Sequence, residues 1–213
     1  WRVLPADRNQ PRADLRRELL ALRGLGFWLA LSMTVFFAAS MFALFTYVAP
    51  LLQEVTGVSP RGVTGTLLLI GLGLTLGNFI GGRLADWRLA TSLVGIFVAL
   101  ALTSAALRWT GQAFLPAEIT LFLWAAAAFA AVPALQINVV TFGKDAPNLV
   151  STLNIGAFNV GNALGAWVGG LVIDHGLGLT AVPLAASGLA LLALIATLLT
   201  ASQARKSGLA IAS

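Results

Sequence analysis

Eight carboxylates, thirteen Lys and Arg, one histidine and no cysteine are all that this 213-residue chain offers for proton transfer or metal ligation. Without cysteine there are no disulfides or thiolate metal sites, and the single His175 cannot by itself build a zinc site or a catalytic dyad. Their spacing says more than their number. Ionisable residues other than Tyr47 mark the ends of six apolar stretches, between Arg23 and Glu54, Arg61 and Arg83, Arg88 and Arg108, Glu118 and Lys144, Asp145 and Asp174, and His175 and Arg205. No Asp, Glu, Lys, Arg or His falls inside any of them. Ionisable residues within a membrane usually mark proton or ion paths. Their absence argues against an intramembrane protease or a zinc hydrolase, so no catalytic residue, metal ligand or cofactor is expected. The chemistry left inside the stretches is uncharged hydrogen bonding and aromatic contact: Ser40, Thr46 and Tyr47, then Asn78, then Trp124, Gln136 and Asn138, then Asn154, Asn159 and Asn162.

The elements that carry these groups follow from composition. The chain is 58% hydrophobic and 10% charged, far from the roughly 45 to 50% apolar and 25% charged usage of a soluble domain. Each stretch can cross a hydrocarbon core of about 30 Å, which takes roughly 20 helical residues. The sequence therefore predicts an all-α integral membrane protein, with a six-helix bundle over 24–205 and helices at about 25–52, 62–82, 89–107, 119–143, 147–173 and 177–204. Residues 1–23 are expected to form a linker in which Leu15, Leu19 and Leu22 line one face of an interfacial helix, and 206–213 a tail. With the N-terminus inside, eleven Lys and Arg lie on one side and only Arg61 and Arg108 on the other. That excess marks the cytoplasmic face, with both termini cytoplasmic, and it accounts for the basic pI by contact with membrane lipid rather than nucleic acid.

The chain repeats itself. LTLGNFIGGRLAD at 74–86 matches NALGAWVGGLVID at 162–174 at an offset of 88, and Gly73 with Gly161 extends the match upstream. A weaker echo pairs Pro50, Leu52 and Gln53 with Pro133, Leu135 and Gln136 at an offset of 83. Helices one to three thus resemble helices four to six, and because three is odd the second triplet enters from the opposite side. This 3+3 inverted repeat recurs in secondary transporters and also in channels. Gly73, Gly77 and Gly81, and equivalently Gly161, Gly165 and Gly169, form smooth stripes along which helices can pack closely and rock. Pro50 and Pro133 each remove a backbone donor near a helix end, as a gating hinge or as a simple terminator.

At Gly82, Arg83, Leu84, Ala85, Asp86, Trp87 and Arg88 the sequence resembles a degraded copy of the cytoplasmic loop signature of the major facilitator superfamily. The phrases YVAPLLQEVTGVSP at 47–60 and NIGAFNVGNALGAWVGGLVID at 154–174 are similar to its arabinose-efflux-like, drug-antiporter branch. The resemblance implies the C-terminal six-helix half of a bacterial inner-membrane transporter that exports a small molecule by alternating access in exchange for protons. Its partner would be an N-terminal six-helix half, which would carry the proton-binding carboxylate. It implies a cytoplasmic gate at Gly82, Arg83, Asp86 and Arg88, where Asp86 faces a helix N-terminus of the other half; the plainer alternative pairs Asp86 with Arg83 or Arg88. It also implies that the first helix of each triplet lines the cavity, the second flanks it and the third faces lipid, with Ser40, Tyr47, Trp124, Asn159 and Asn162 as wall candidates. Asn159 is open equally to substrate contact and to helix-to-helix bonding, and packing or gate roles are expected for Gln136 and Asn138. The competing reading is a self-contained six-helix channel or a half-size protein acting as a homodimer.

Overall fold

A computed structural model describes residues 24–143 and 146–206, the side chains of 204–206 excepted. The expected interfacial helix, Lys144 and Asp145, and the end of the tail lie outside the described residues. Among the described residues, five helices are long and apolar enough to cross a membrane, over Leu25–Val55, Pro60–Thr110, Phe114–Phe142, Pro147–Asp174 and Leu179–Gln203.

The first of these is not continuous. Helix α1 (Leu25–Phe45) ends in a turn at Thr46 and Tyr47, followed by a helical turn at Val48–Pro50 and a π-helical turn at Leu51–Val55. Pro50 supplies the reason. It has no N–H for the carbonyl four residues back, Thr46, and its ring clashes with that carbonyl. The chain turns at Gly57, whose φ is +76°, and helix α2 (Pro60–Thr110) starts with Ser59 accepting from the Gly62 amide at 3.2 Å and proline in the first turn.

Helix α2 has 51 residues, about 76 Å at 1.5 Å per residue, far more than a membrane crossing. Its backbone breaks at Arg88, with φ −152° and ψ 87°. The Ser92 hydroxyl donates to the Leu84 carbonyl at 2.7 Å, although residues eight apart in a straight helix are separated by about 12 Å. The chain thus folds sharply at Arg88 into two arms, 60–87 and 89–110. The polar joint expected over 83–88 is a correction: the helix runs on through Arg83 and Asp86 to Trp87, and the turn is confined to the neighbourhood of Arg88. Helices α3 (Phe114–Phe142), α4 (Pro147–Asp174) and α5 (Val182–Lys206) complete the bundle, and α3 begins about five residues earlier than expected.

Packing follows the glycines. Helix α1 lies against α4 and α5, and α2 lies against α3 and α5. A side chain on Gly73, Gly77 or Gly81 would collide with the carbonyl oxygens of Phe122, Ala126 and Ala130 of α3. A side chain on Gly161 or Gly165 would collide with those of Val35 and Ala39 of α1, and one on Gly169 with the Tyr47 ring, with the Ala43 oxygen at 3.2 Å. Removing the side chain is what lets the backbones touch. The two seams are equivalent, because their partners Val35, Ala39 and Ala43 match Phe122, Ala126 and Ala130 at an offset of 87. This register differs from the offset of 83 that links the prolines: at 87, Pro133 aligns with Thr46, where α1 breaks, and not with Pro50.

Candidate functional site

A cavity of about 420 Å³ opens where α1, the first arm of α2, α3 and α4 converge. Its apolar walls include Phe37, Phe129 and Phe158, with the Phe37 and Phe158 rings 6.2 Å apart. Its polar groups are Thr34, Asn78, Gln136 and Asn154, and none carries a charge.

Three of these form a relay across three helices. The buried Thr34 hydroxyl donates to Asn154 Oδ1 at 2.7 Å, Asn154 Nδ2 donates to Gln136 Oε1 at 2.8 Å, and Gln136 Nε2 donates to the Ser151 hydroxyl at 3.0 Å. Both polar atoms of the Asn154 amide are satisfied, as burial requires. The relay therefore fixes α1, α3 and α4 around the cavity rather than waiting for a ligand. Asn78 differs: it is exposed and has no hydrogen bond among the described residues. Its amide can both donate and accept, so the cavity offers a neutral hydrogen-bonding handle beside aromatic bulk.

The expected wall residues divide. Ser40 is fully buried and donates to the Ala186 carbonyl of α5 at 2.7 Å, which makes it part of a packing seam and not of the cavity lining. Tyr47 donates to the Ala166 carbonyl of α4 at 2.9 Å and packs against Gly169, at the break in α1. Trp124 is fully buried in the main core, where its indole N–H has no partner among the described residues. Asn159 and Asn162 stand one helical turn beyond Ile155 and Phe158 of the cavity wall, on the same face of α4. Asn159 is exposed, and the Asn162 amide oxygen is buried without a partner among the described residues. Of the polar residues that line the cavity, Asn78, Gln136 and Asn154 were legible only as amides inside apolar stretches, and Thr34 was missed, since nothing sets one hydroxyl in an apolar run apart from its neighbours. Asn138, by contrast, is buried and donates to the Met33 sulfur at 3.6 Å.

Around the loop signature the arginines lie on aromatic rings. The Arg83 guanidinium sits 3.9 Å from the Phe79 ring centre and that of Arg88 5.5 Å from Trp87. Asp86 is exposed and makes no ion pair among the described residues, so the alternative pairing with Arg83 or Arg88 is absent there. Gly82 faces open space, unlike Gly81.

No family model matches the chain. It is 41% identical over 198 residues, 93% of its length, to the inner membrane transport protein YdhP of Escherichia coli (strain K12), of which it covers 51%. It is 33% identical over 78% of its length to the uncharacterized MFS-type transporter YtbD of Bacillus subtilis (strain 168), covering 43% of it. It is also 32% identical over 88% of its length to a chloramphenicol resistance protein of Streptomyces lividans, covering 49%. The chain spans about half the length of the curated relatives it matches.

Proposed function

Because the chain belongs to the major facilitator superfamily, we propose that it is the C-terminal half of a secondary active transporter that exports a small, uncharged or amphiphilic molecule by alternating access. The observation that carries this is the neutral cavity framed by the Thr34, Asn154 and Gln136 relay, with the unpaired Asn78 amide beside it. A site lined by aromatics with a few placed polar groups is the usual form of a small-molecule pocket. The likeness to a resistance protein favours efflux.

On this reading the fold at Arg88 raises five apolar helices to six crossings, arranged as a 3+3 inverted repeat. The exchange of equivalent glycine seams, first arm of α2 on α3 and α4 on α1, supports it. An N-terminal six-helix half closes the open side of the cavity. It also brings the carboxylate that couples transport to protons, since the cavity of this half has none. The membrane is the bacterial inner membrane, with both ends of this half on the cytoplasmic side.

The test is transport by the full-length protein carrying Asn78→Leu or Asn154→Leu. Asn78→Leu is expected to weaken substrate affinity with expression unchanged. Unaltered affinity and rate in both variants would overturn the assignment of this cavity. Transport by this chain alone, as a dimer, would replace the two-half reading with the half-size one.

A further inference from the structure

A second and larger cavity, about 510 Å³, lies away from the first, between the two arms of α2 and the face of α3 that carries Leu123 and Ala127. It runs along the second arm from Arg88 to Thr103, fifteen residues or about 22 Å at 1.5 Å per residue. Its walls are almost wholly apolar. Two of the three hydroxyls that line it are engaged, Ser92 on the Leu84 carbonyl at 2.7 Å and Thr103 on the Ala99 carbonyl at 2.8 Å. Nothing in the interior asks for a polar guest. The mouth is different. Trp87 is 71% exposed there, and the exposed Arg88 guanidinium makes no ion pair among the described residues. Thr91 beside it is exposed, with no hydrogen bond among the described residues.

We propose that this groove is a binding site for an anionic glycerophospholipid of the leaflet on the Arg88 side, its phosphate on Arg88 and Thr91 and one acyl chain laid between the arms of α2. Charge and length favour this occupant. An unpaired guanidinium at the mouth matches a phosphate by charge and by geometry. The groove is long enough to take an acyl chain through the half-thickness of a core of about 30 Å with its headgroup outside. An exposed tryptophan belongs at that boundary, and basic pockets between membrane helices are known sites for anionic headgroups. The inference needs only that the chain spans a membrane, and not that it transports anything.

The experiment is native mass spectrometry of the full-length protein in detergent, titrated with phosphatidylglycerol and with phosphatidylcholine of the same acyl chains. Retention of one phosphatidylglycerol is expected, with about fivefold preference over phosphatidylcholine, the order of one basic group near an anionic headgroup. Arg88→Gln is expected to erase the preference. A side chain at Gly95, which lines the groove and has no atom within 4 Å of its Cβ position, fills the space without disturbing packing, so Gly95→Leu is expected to abolish retention of either lipid. Equal retention of the two lipids by the unaltered protein, or undiminished phosphatidylglycerol on Gly95→Leu, would overturn the proposal. The first outcome would also follow if the other half of the protein covered the groove.

Discussion

Asn154 donates to Gln136 across the α3–α4 interface at 2.8 Å while accepting from Thr34 of α1, so one amide ties three helices at the cavity wall. Replacing it by leucine leaves both partners without their bond. Hydrogen bonds between membrane helices contribute about 0.6 kcal/mol on average and up to about 1.7. Asn154→Leu is therefore expected to destabilise by about 1 to 2 kcal/mol, read as earlier thermal unfolding of the purified full-length protein. Asn78→Leu, which breaks no bond among the described residues, is expected to leave unfolding unchanged. Equal unfolding of all three proteins would remove the relay as a structural element.

Adjacent glycines give a sharper contrast. A methyl group on Gly81 meets the Ala130 backbone, whereas one on Gly82 meets nothing within 4 Å. Gly81→Ala forces the first arm of α2 away from α3, at about 1 to 3 kcal/mol for an overpacked contact. Gly82→Ala gains helix propensity of up to about 1 kcal/mol. Denaturation of the two variants side by side should therefore show shifts of opposite sign. The same contrast is expected between Gly165→Ala and Gly156→Ala, since Gly156 faces open space.

These seams were the most legible part of the sequence, because a glycine every fourth residue in an apolar run has few other uses. The cavity was less so. In a membrane helix every face is apolar, so periodicity cannot separate a wall from a seam. Ser40 and Trp124 looked like wall residues for that reason, yet both are buried in packing contacts. The turn at Arg88 was drawn too long for another reason. Arg83 and Asp86 read as a loop, but charged side chains beyond the hydrocarbon core do not interrupt a helix, and the backbone stays helical to Trp87. The proline echo did not show that the two helices differ: Pro133 lies inside an unbroken α3, whereas α1 breaks at Thr46 and Tyr47, one turn before Pro50.

That break carries its own prediction. Pro50→Ala restores a donor for the Thr46 carbonyl and removes the ring clash, so α1 is expected to run straight towards Val55. If the break is a hinge, transport by the full-length protein falls several-fold while thermal stability is unchanged or raised. Unchanged transport with raised stability would make Pro50 a terminator. Tyr47→Phe separates the hinge from its tether, because it removes only the hydrogen bond to Ala166.

Asp86 offers the last test. Its carboxylate stands exposed at the end of the first arm of α2, and its arginine neighbours lie on Phe79 and Trp87. On the proposed two-half reading it is therefore available to a helix N-terminus of the other half, an interaction of about 0.3 to 1 kcal/mol when exposed. Neutralising it shifts the equilibrium between conformations by two- to fivefold at that magnitude, with no change in the fold of this half. Asp86→Asn is thus expected to raise the labelling rate of a cysteine placed at Asn78 by an impermeant maleimide applied from the side of Arg83 and Arg88. The chain has no native cysteine to confuse the readout, and the full-length background is stripped of any others. Asp86→Glu keeps the charge and should restore the slow rate. Asp174, which matches Asp86 in the sequence repeat, lies at the C-terminal end of α4, so on the proposed inverted repeat Asp174→Asn should leave labelling from that side unaltered. If Asp86→Asn labels no faster than the parent, the carboxylate is a solvated helix-end residue, and closure on that side rests on packing alone.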